Sequence, residues 1–201
     1  TIDSYMNDPK VMGRAKKEAA AYLATPGTTL ETKKAVVERA FVLYYIFRDL
    51  MAQAKAGSIT VNACMGTIIQ QSKTTACLPL QLLNDQGYPA FCESDFVVIP
   101  SGMLLHNICN TPVFLNDPTY PHHGIVTIAH CTGPRKMNGK DTDPARVMTH
   151  FESDYGAAPK VEMKKGQVVT TIDPDFSSEK YVLFRGTIDQ APFHAICRDQ
   201  I

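Results

Sequence analysis

Ala90-Phe91-Cys92-Glu93-Ser94-Asp95 ends a short apolar run, begun at Tyr88, with two acids one residue apart. Apolar segments that stop abruptly at acids are how a parallel α/β sheet delivers carboxylates to its carboxyl edge, where such folds bind ligands. Pro112-Val113-Phe114-Leu115-Asn116-Asp117 and Gly124-Ile125-Val126-Thr127-Ile128-Ala129-His130-Cys131 end in the same way. If all three are neighbouring strands, Glu93, Asp95, Asn116, Asp117 and His130 converge at one rim. Oxygen and imidazole donors on a common edge suit a hard or borderline divalent cation. The competing reading makes Glu93 and Asp95 caps of the next helix and His130 a satisfied buried histidine.

A chain of 201 residues is enough for one large domain or two small ones. Twenty Lys plus Arg balance twenty Asp plus Glu, so formal net charge is zero and no electrostatic case for nucleic acid or an anionic membrane arises. There is no apolar run of about 18 residues to cross a membrane. The N-terminal Thr1-Ile2-Asp3-Ser4-Tyr5-Met6 lacks the charged and apolar regions of a signal peptide. It also lacks an initiator Met, so the sequence reads as a fragment of something longer, from a cytoplasmic protein. The six cysteines, Cys64, Cys77, Cys92, Cys109, Cys131 and Cys197, lie mostly in apolar runs and read as free thiols of such a protein. No two are spaced as Cys-x-x-Cys, which gives a structural zinc site little support.

Residues 9–25 favour helix, with an alanine run after Lys16, Lys17 and Glu18, and Pro26-Gly27 ends it. Thr28 or Thr29 is placed to cap a second helix running to about residue 56. Val36, Val37, Ala40, Phe41, Tyr44, Phe47, Leu50 and Met51 give that helix an apolar face at three- and four-residue steps, and Gly57 closes it. Residues 58–64 read as a buried strand, 66–75 as a polar loop, 77–85 as a helix with Pro79 near its first turn, and 99–109 as a helix with Ser101 as a candidate cap. The order β-α-β-α-β-β predicts an α/β fold, a mostly parallel sheet flanked by helices. After Cys131 the composition changes. Residues 133–140 form a basic connector containing Gly and Pro. Strands follow at 160–163, 167–172 and 181–188, with turns at Lys165-Gly166 and Asp173-Pro174. This predicts an α/β domain over residues 1–132 and a second, antiparallel domain over 133–201.

Cys77-Leu78-Pro79, Leu83-Asn84-Asp85-Gln86-Gly87, Cys92-Glu93-Ser94-Asp95, Phe114-Leu115-Asn116-Asp117 and Ala129-His130-Cys131, in this order and spacing, resemble the L-fucose/L-arabinose isomerase superfamily, and within it the fucose-isomerase-like proteins. The resemblance covers most of residues 30–200 and extends through His150-Phe151-Glu152, Gly166-Gln167-Val168-Val169-Thr170 and Cys197-Arg198. It implies that the first segment is the middle α/β domain of such a protein. The rest would be the beginning of its C-terminal antiparallel β-barrel domain, with segments missing in front and behind, among them a histidine that completes the metal site.

The resemblance also implies an activity. The family interconverts aldoses and ketoses through an enediol with a divalent metal, usually Mn²⁺. The cation polarises the carbonyl and carboxylates move a proton between C1 and C2. Glu93 falls on an acidic metal ligand, His130 on a histidine ligand and Asp95 on a metal-binding aspartate. Glu93 and Asp117 are the candidate catalytic acids. Asn116, Arg135 and Glu152 are candidates for substrate contact. The implied partner is a small sugar, with no nucleic acid and no membrane, in a homo-oligomer. Two positions depart from the pattern. Asn116 stands where arabinose isomerases have an acid, and Leu80 stands where fucose isomerases have a glutamate, so one acid of the usual pair is absent. These departures favour the alternative, a carbohydrate-binding descendant without catalysis.

The remaining histidines carry less. His122-His123 reads as an exposed loop pair and His106 as a packing histidine. His150 with Glu152 faces the substrate cleft on one reading and is structural on the other. His194 is not equated with the family's last ligand. Arg135 with Lys136 reads either as a sugar or phosphate contact or as a solvated surface pair. A purely structural reading of the acids, as caps and salt-bridge partners, stays open beside the two functional ones.

Overall fold

The computed structural model describes residues 2–201. It opens with two helices, α1 (Ile2–Met6) and α2 (Pro9–Leu23). Asp8 starts α2: its side chain accepts from the backbone N–H of Lys10 (2.8 Å) and Val11 (3.3 Å), and Pro9 stands where its missing N–H costs nothing. β1 (Thr28–Leu30) leads to α3 (Lys34–Ala54), the helix around which the first half is built. Val36, Val37, Ala40, Phe41, Leu43, Phe47 and Met51 of α3 are all buried, in one cluster with Ala15 and Ala19 of α2. Leu50, assigned to the same face by its spacing, is 46% exposed. The helix ends at Lys55, in the left-handed region (φ 51°), two residues before Gly57.

β2 (Ile59–Val61) is followed by a π-helical turn over Cys64–Ile68, α4 (Ile69–Ser72), α5 (Cys77–Asp85), β3 (Ala90–Cys92) and α6 (Ile99–Cys109). Residues 66–75, expected as a loop, are thus largely helical. Ile68 and Ile69 pack toward the core, and Ser72 Oγ donates to Ile68 O at 2.7 Å. α5 is buried along most of its length. Leu78, Leu80 and Leu83 are fully enclosed, and Asn84 pins β3 by accepting from Ala90 N–H (3.2 Å) and donating to Ala90 O (2.7 Å). Ser101 caps nothing: it lies buried within the first turn of α6. The seven later strands are β4 (Asp117–His122), β5 (Ile125–His130), β6 (Ala145–His150), β7 (Tyr155–Val161), β8 (Val168–Asp175), β9 (Lys180–Thr187) and β10 (Asp199–Gln200).

The strands form four small sheets, ordered β1-β6-β7, β10-β5-β4, β2-β3 and β8-β9. The chain is therefore mixed α/β, but a mostly parallel sheet is not what forms. Parallel pairing is confined to β1 with β6 and β2 with β3, and the other ladders are antiparallel. Among the described residues no strands close into a barrel. β5 takes antiparallel partners on both sides, and residues 112–116 are irregular, so Asp117 begins a strand instead of ending one. Thr28 and Thr29 cap nothing and pair with Ala145 and Arg146. Asp173-Pro174 lies inside β8, opposite Val182 and Tyr181, and the hairpin turns after it. Two sheets, β1-β6-β7 and β10-β5-β4, join strands from before and after residue 133.

No helix of the described residues is long and apolar enough to cross a membrane. None of the six cysteines is in a disulfide. Cys77, Cys92 and Cys131 are buried, and Cys109 is exposed.

Candidate metal and ligand site

β3 delivers Glu93 by ending in a tight left-handed turn. Both Glu93 (φ 66°) and Ser94 (φ 52°) adopt positive φ, uncommon for residues with a side chain and often found at functional sites. The turn is tied to β2, since Thr60 Oγ1 accepts from Ser94 N–H at 3.1 Å. β5 delivers His130 at its last position, 3% exposed at the side chain. Glu93 Oε1 stands 3.6 Å from His130 Nε2, an ion-pair contact longer than a hydrogen bond, and Glu93 is 64% exposed. Both ring nitrogens of His130 are buried without a hydrogen-bond partner among the described residues. Such orphaned polar atoms are rare, because burial strips them of water at a cost of about 1–3 kcal/mol.

The electrostatics place Asp117 and Asp95 in the same field. Contact with the His130 imidazole holds the Glu93 carboxyl below its ordinary range. Burial acts to lower the pKa of His130, but the Glu93 and Asp117 carboxylates raise it. Asp117 is raised, first by partial burial and further by the Glu93 and Asp95 carboxylates, against the pull of His130. His150 enters the same neighbourhood. Burial lowers its pKa, and it is within electrostatic reach of His130, Glu93 and Glu152.

Glu93 and His130 meet, although β5 is not a parallel neighbour of β3, and Asp117 lies within electrostatic reach of both and of Asp95. Asp95 has a second role: its Oδ1 accepts from Val97 N–H at 2.9 Å, and its backbone carbonyl accepts from Ile99 N–H at 3.0 Å. Neither acid caps the next helix: α6 follows Val98 with no side-chain cap, and Asp95 closes the turn ahead of it. Asn116 donates from Nδ2 to Phe114 O at 2.8 Å, leaving its carbonyl oxygen as the available group. Glu152 is exposed, beside His150 and Cys197.

Arg135 sits elsewhere. It is 1% exposed, donates from Nε to Asp143 O at 2.7 Å, and lies 5.4 Å over the Tyr22 ring. Its charge falls on Asp85 and Asp143, so it acts as a buried counter-charge and presents nothing to the rim or to solvent. His122 and His123 form an exposed pair with rings 5.8 Å apart. His106 Nδ1 makes a 2.9 Å hydrogen bond with Thr111 O, tying the end of α6 to the next segment.

A cleft of about 490 Å³ lies between β5 and the β8–β9 hairpin, lined among others by Thr127, Val169, Phe184 and Arg185. It includes neither Glu93 nor His130, and the perturbed groups, not this cavity, mark the site.

Sequence reasoning missed the gathering of thiols behind the rim. Cys77, Cys131 and His150 each offer a ligand atom, all within 4.8 Å of one another. Their positions in the chain are too far apart for any spacing signal.

Models of known protein families give no match to this chain, and no curated protein matches it.

Proposed function

We propose that the rim of Glu93, Asp95, Asp117 and His130 holds a divalent cation, Mn²⁺ by preference, and serves aldose–ketose isomerisation of a small sugar. The observation that carries this reading is His130: a buried imidazole at a strand end with both nitrogens unpartnered and a carboxylate 3.6 Å away. A mixed set of carboxylates and an imidazole suits Mn²⁺ or a similar hard or borderline ion. A bound cation would supply the electrophile that polarises the sugar carbonyl. Glu93, fixed on its strained turn and kept ionised by His130, is the anchoring carboxylate. Asp117 is the proton carrier. Partial burial raises its carboxyl above the ordinary range, which suits a group that takes a proton from one sugar carbon and returns it to the next. Asn116 and Glu152 would accept from sugar hydroxyls.

A second reading, sugar binding without turnover, is favoured by Leu80. This residue is fully buried in the α5 core, so no acid is presented from the position where fucose isomerases carry one. Calorimetric titration with Mn²⁺ of the protein and of its Glu93→Gln and His130→Ala variants tests the site. Binding by the parent that both variants lose is expected. Absence of binding, or binding indifferent to both changes, overturns the metal reading. Incubation with aldoses in deuterated water then separates catalysis from binding. Deuterium incorporated at C2 supports isomerisation, and sugar binding without incorporation supports the second reading.

A further inference from the structure

Behind the rim, four side chains from distant parts of the chain converge. Cys77 opens α5, Cys131 follows β5, His150 ends β6, and Cys197 precedes β10. Ligand atoms of Cys77, Cys131 and His150 lie within 4.8 Å of one another. Cys197 packs into the same cluster against Cys77, Cys131 and Ala158. A tetrahedral zinc ion with bonds to sulfur of about 2.3 Å sets its ligands about 3.8 Å apart, so side-chain adjustment brings Cys77, Cys131 and His150 to binding distance, with Cys197 packed beside them.

The surroundings fit that use. Cys77 and Cys131 are 3% exposed and His150 9%, whereas Cys197 is half-buried and gives access. The backbone N–H of Arg198 lies beside the Cys131 sulfur, a donor of the kind that supports a thiolate. Ser153 fixes the His150 ring, whose Nδ1 accepts from Ser153 N–H at 3.3 Å and stands 3.1 Å from Ser153 Oγ. The scaffold is rigid at this point. Thr75 Oγ1 donates to Ala157 O (3.0 Å) and accepts from Ala157 N–H (3.1 Å), locking the start of α5 to β7.

We propose that Cys77, Cys131, His150 and Cys197 form a second site, distinct from the oxygen-rich rim, for a borderline or soft cation of the zinc class. Thiolate ligands select zinc over manganese, and binding releases the thiol protons to solvent. With three sulfurs and one nitrogen the site is closed, so its role is to fasten α5, β5, β6 and the segment before β10 together.

The test uses reduced, metal-free protein under anaerobic conditions, titrated with Co²⁺ as a spectroscopic probe and then with Zn²⁺. One equivalent of Co²⁺ should produce a sulfur-to-cobalt charge-transfer band that one equivalent of Zn²⁺ abolishes. Cys77→Ser and Cys131→Ser should lose the band, and Glu93→Gln should keep it. Because a buried serine can compromise folding, the parent protein is also alkylated with and without Zn²⁺. Zinc-dependent protection mapping to Cys77, Cys131 and Cys197 is expected. The proposal is overturned by the absence of a charge-transfer band in the parent, by a band that survives in folded Cys77→Ser or Cys131→Ser, or by a band lost in Glu93→Gln. It is equally overturned by thiols that Zn²⁺ fails to protect, or by a Cys131–Cys197 disulfide with no bound ion. Mn²⁺ calorimetry reads the rim separately, so either site can fail without the other.

Discussion

Asp199 accepts the backbone N–H of Gly133 on Oδ2 at 2.8 Å, and on Oδ1 it accepts Val161 N–H at 2.6 Å. One fully buried carboxyl at the start of β10 thus satisfies the connector after β5 and the end of β7 together. Replacing it by alanine leaves two buried N–H groups unpaired. At about 1–3 kcal/mol for each orphaned donor, Asp199→Ala should lose about 2–6 kcal/mol. Urea unfolding followed by circular dichroism measures the difference. Gly133 shows the same closeness from the other side, because a Cβ there would stand 2.8 Å from Asp199 Cγ.

Asp85 makes stability depend on pH. Its Oδ1 accepts Lys136 N–H at 2.9 Å, yet burial pushes the carboxyl up from 3.8 to about 6. A raised acid binds its proton more tightly folded than unfolded, so its contribution favours folding below pH 3.8. Stability then falls as pH rises from 3.8 through about 6. A shift of about two units corresponds to about 3 kcal/mol, and partial solvent contact reduces this to about 1–2 kcal/mol. Asp85→Asn keeps the acceptor oxygen and removes the charge. It should be more stable than the parent at pH 7.5 by that amount and equal to it near pH 3, as read from denaturant midpoints at the two pH values.

The sequence made the local elements legible where period and punctuation agreed. Pro79 near the first turn agreed with α5 at Cys77–Asp85, and residues 99–109 formed the expected helix. The apolar run to His130 was a strand, as read. What sequence could not carry was pairing between distant segments. Whether β5 has parallel or antiparallel neighbours depends on β4 and on β10, some 70 residues later, and no local pattern specifies that. Arg135 was weighed as a solvated residue or a ligand contact because its connector is basic. Only the fold shows that Asp85, Asp143 and the Tyr22 ring enclose it. The contact between Glu93 and His130 was legible because their apolar runs do end as strands, β3 and β5, whereas Asp117 begins β4 and follows an irregular segment. The thiol cluster was not, since its members meet only through the tertiary fold.

Gly156 reports on the seam between α5 and β7. Its φ of +74° is one that side chains rarely adopt, and a Cβ there would meet Thr75 Cγ2 at 2.5 Å and Thr75 N at 2.7 Å. Thr75 cannot yield, because it exchanges two hydrogen bonds with Ala157. Backbone strain of about 1–3 kcal/mol adds to overpacking of similar size. Gly156→Ala should therefore lower the melting temperature by at least about 5 °C, given the entropy of unfolding of a chain this long. A melting temperature within a degree of the parent would show that β7 moves more freely than these bonds imply.

Glu93 sets the protonation of His130, and this too is measurable. The imidazole is buried, which alone would lower its pKa, so its raised value rests on the neighbouring anions, with the Glu93 carboxylate foremost. Glu93→Gln removes that charge from 3.6 Å away and preserves the side-chain shape. The His130 midpoint should move down, toward or below the ordinary 6.5, followed through the ring proton resonances in metal-free protein. In the parent, the raised histidine stabilises the fold below about pH 6.5, and this is lost as pH rises through its folded value. The lowered Glu93 contributes above about pH 4.5, and this is lost as pH falls through its folded value. The pair therefore acts mainly between these limits. Because Glu93 is largely exposed, Glu93→Gln should cost less than about 1 kcal/mol at pH 5.5 and nothing measurable at pH 8.5. A His130 midpoint that stays where it is in Glu93→Gln would mean that Asp117 holds the imidazole instead, and the anchoring role would pass from Glu93 to Asp117.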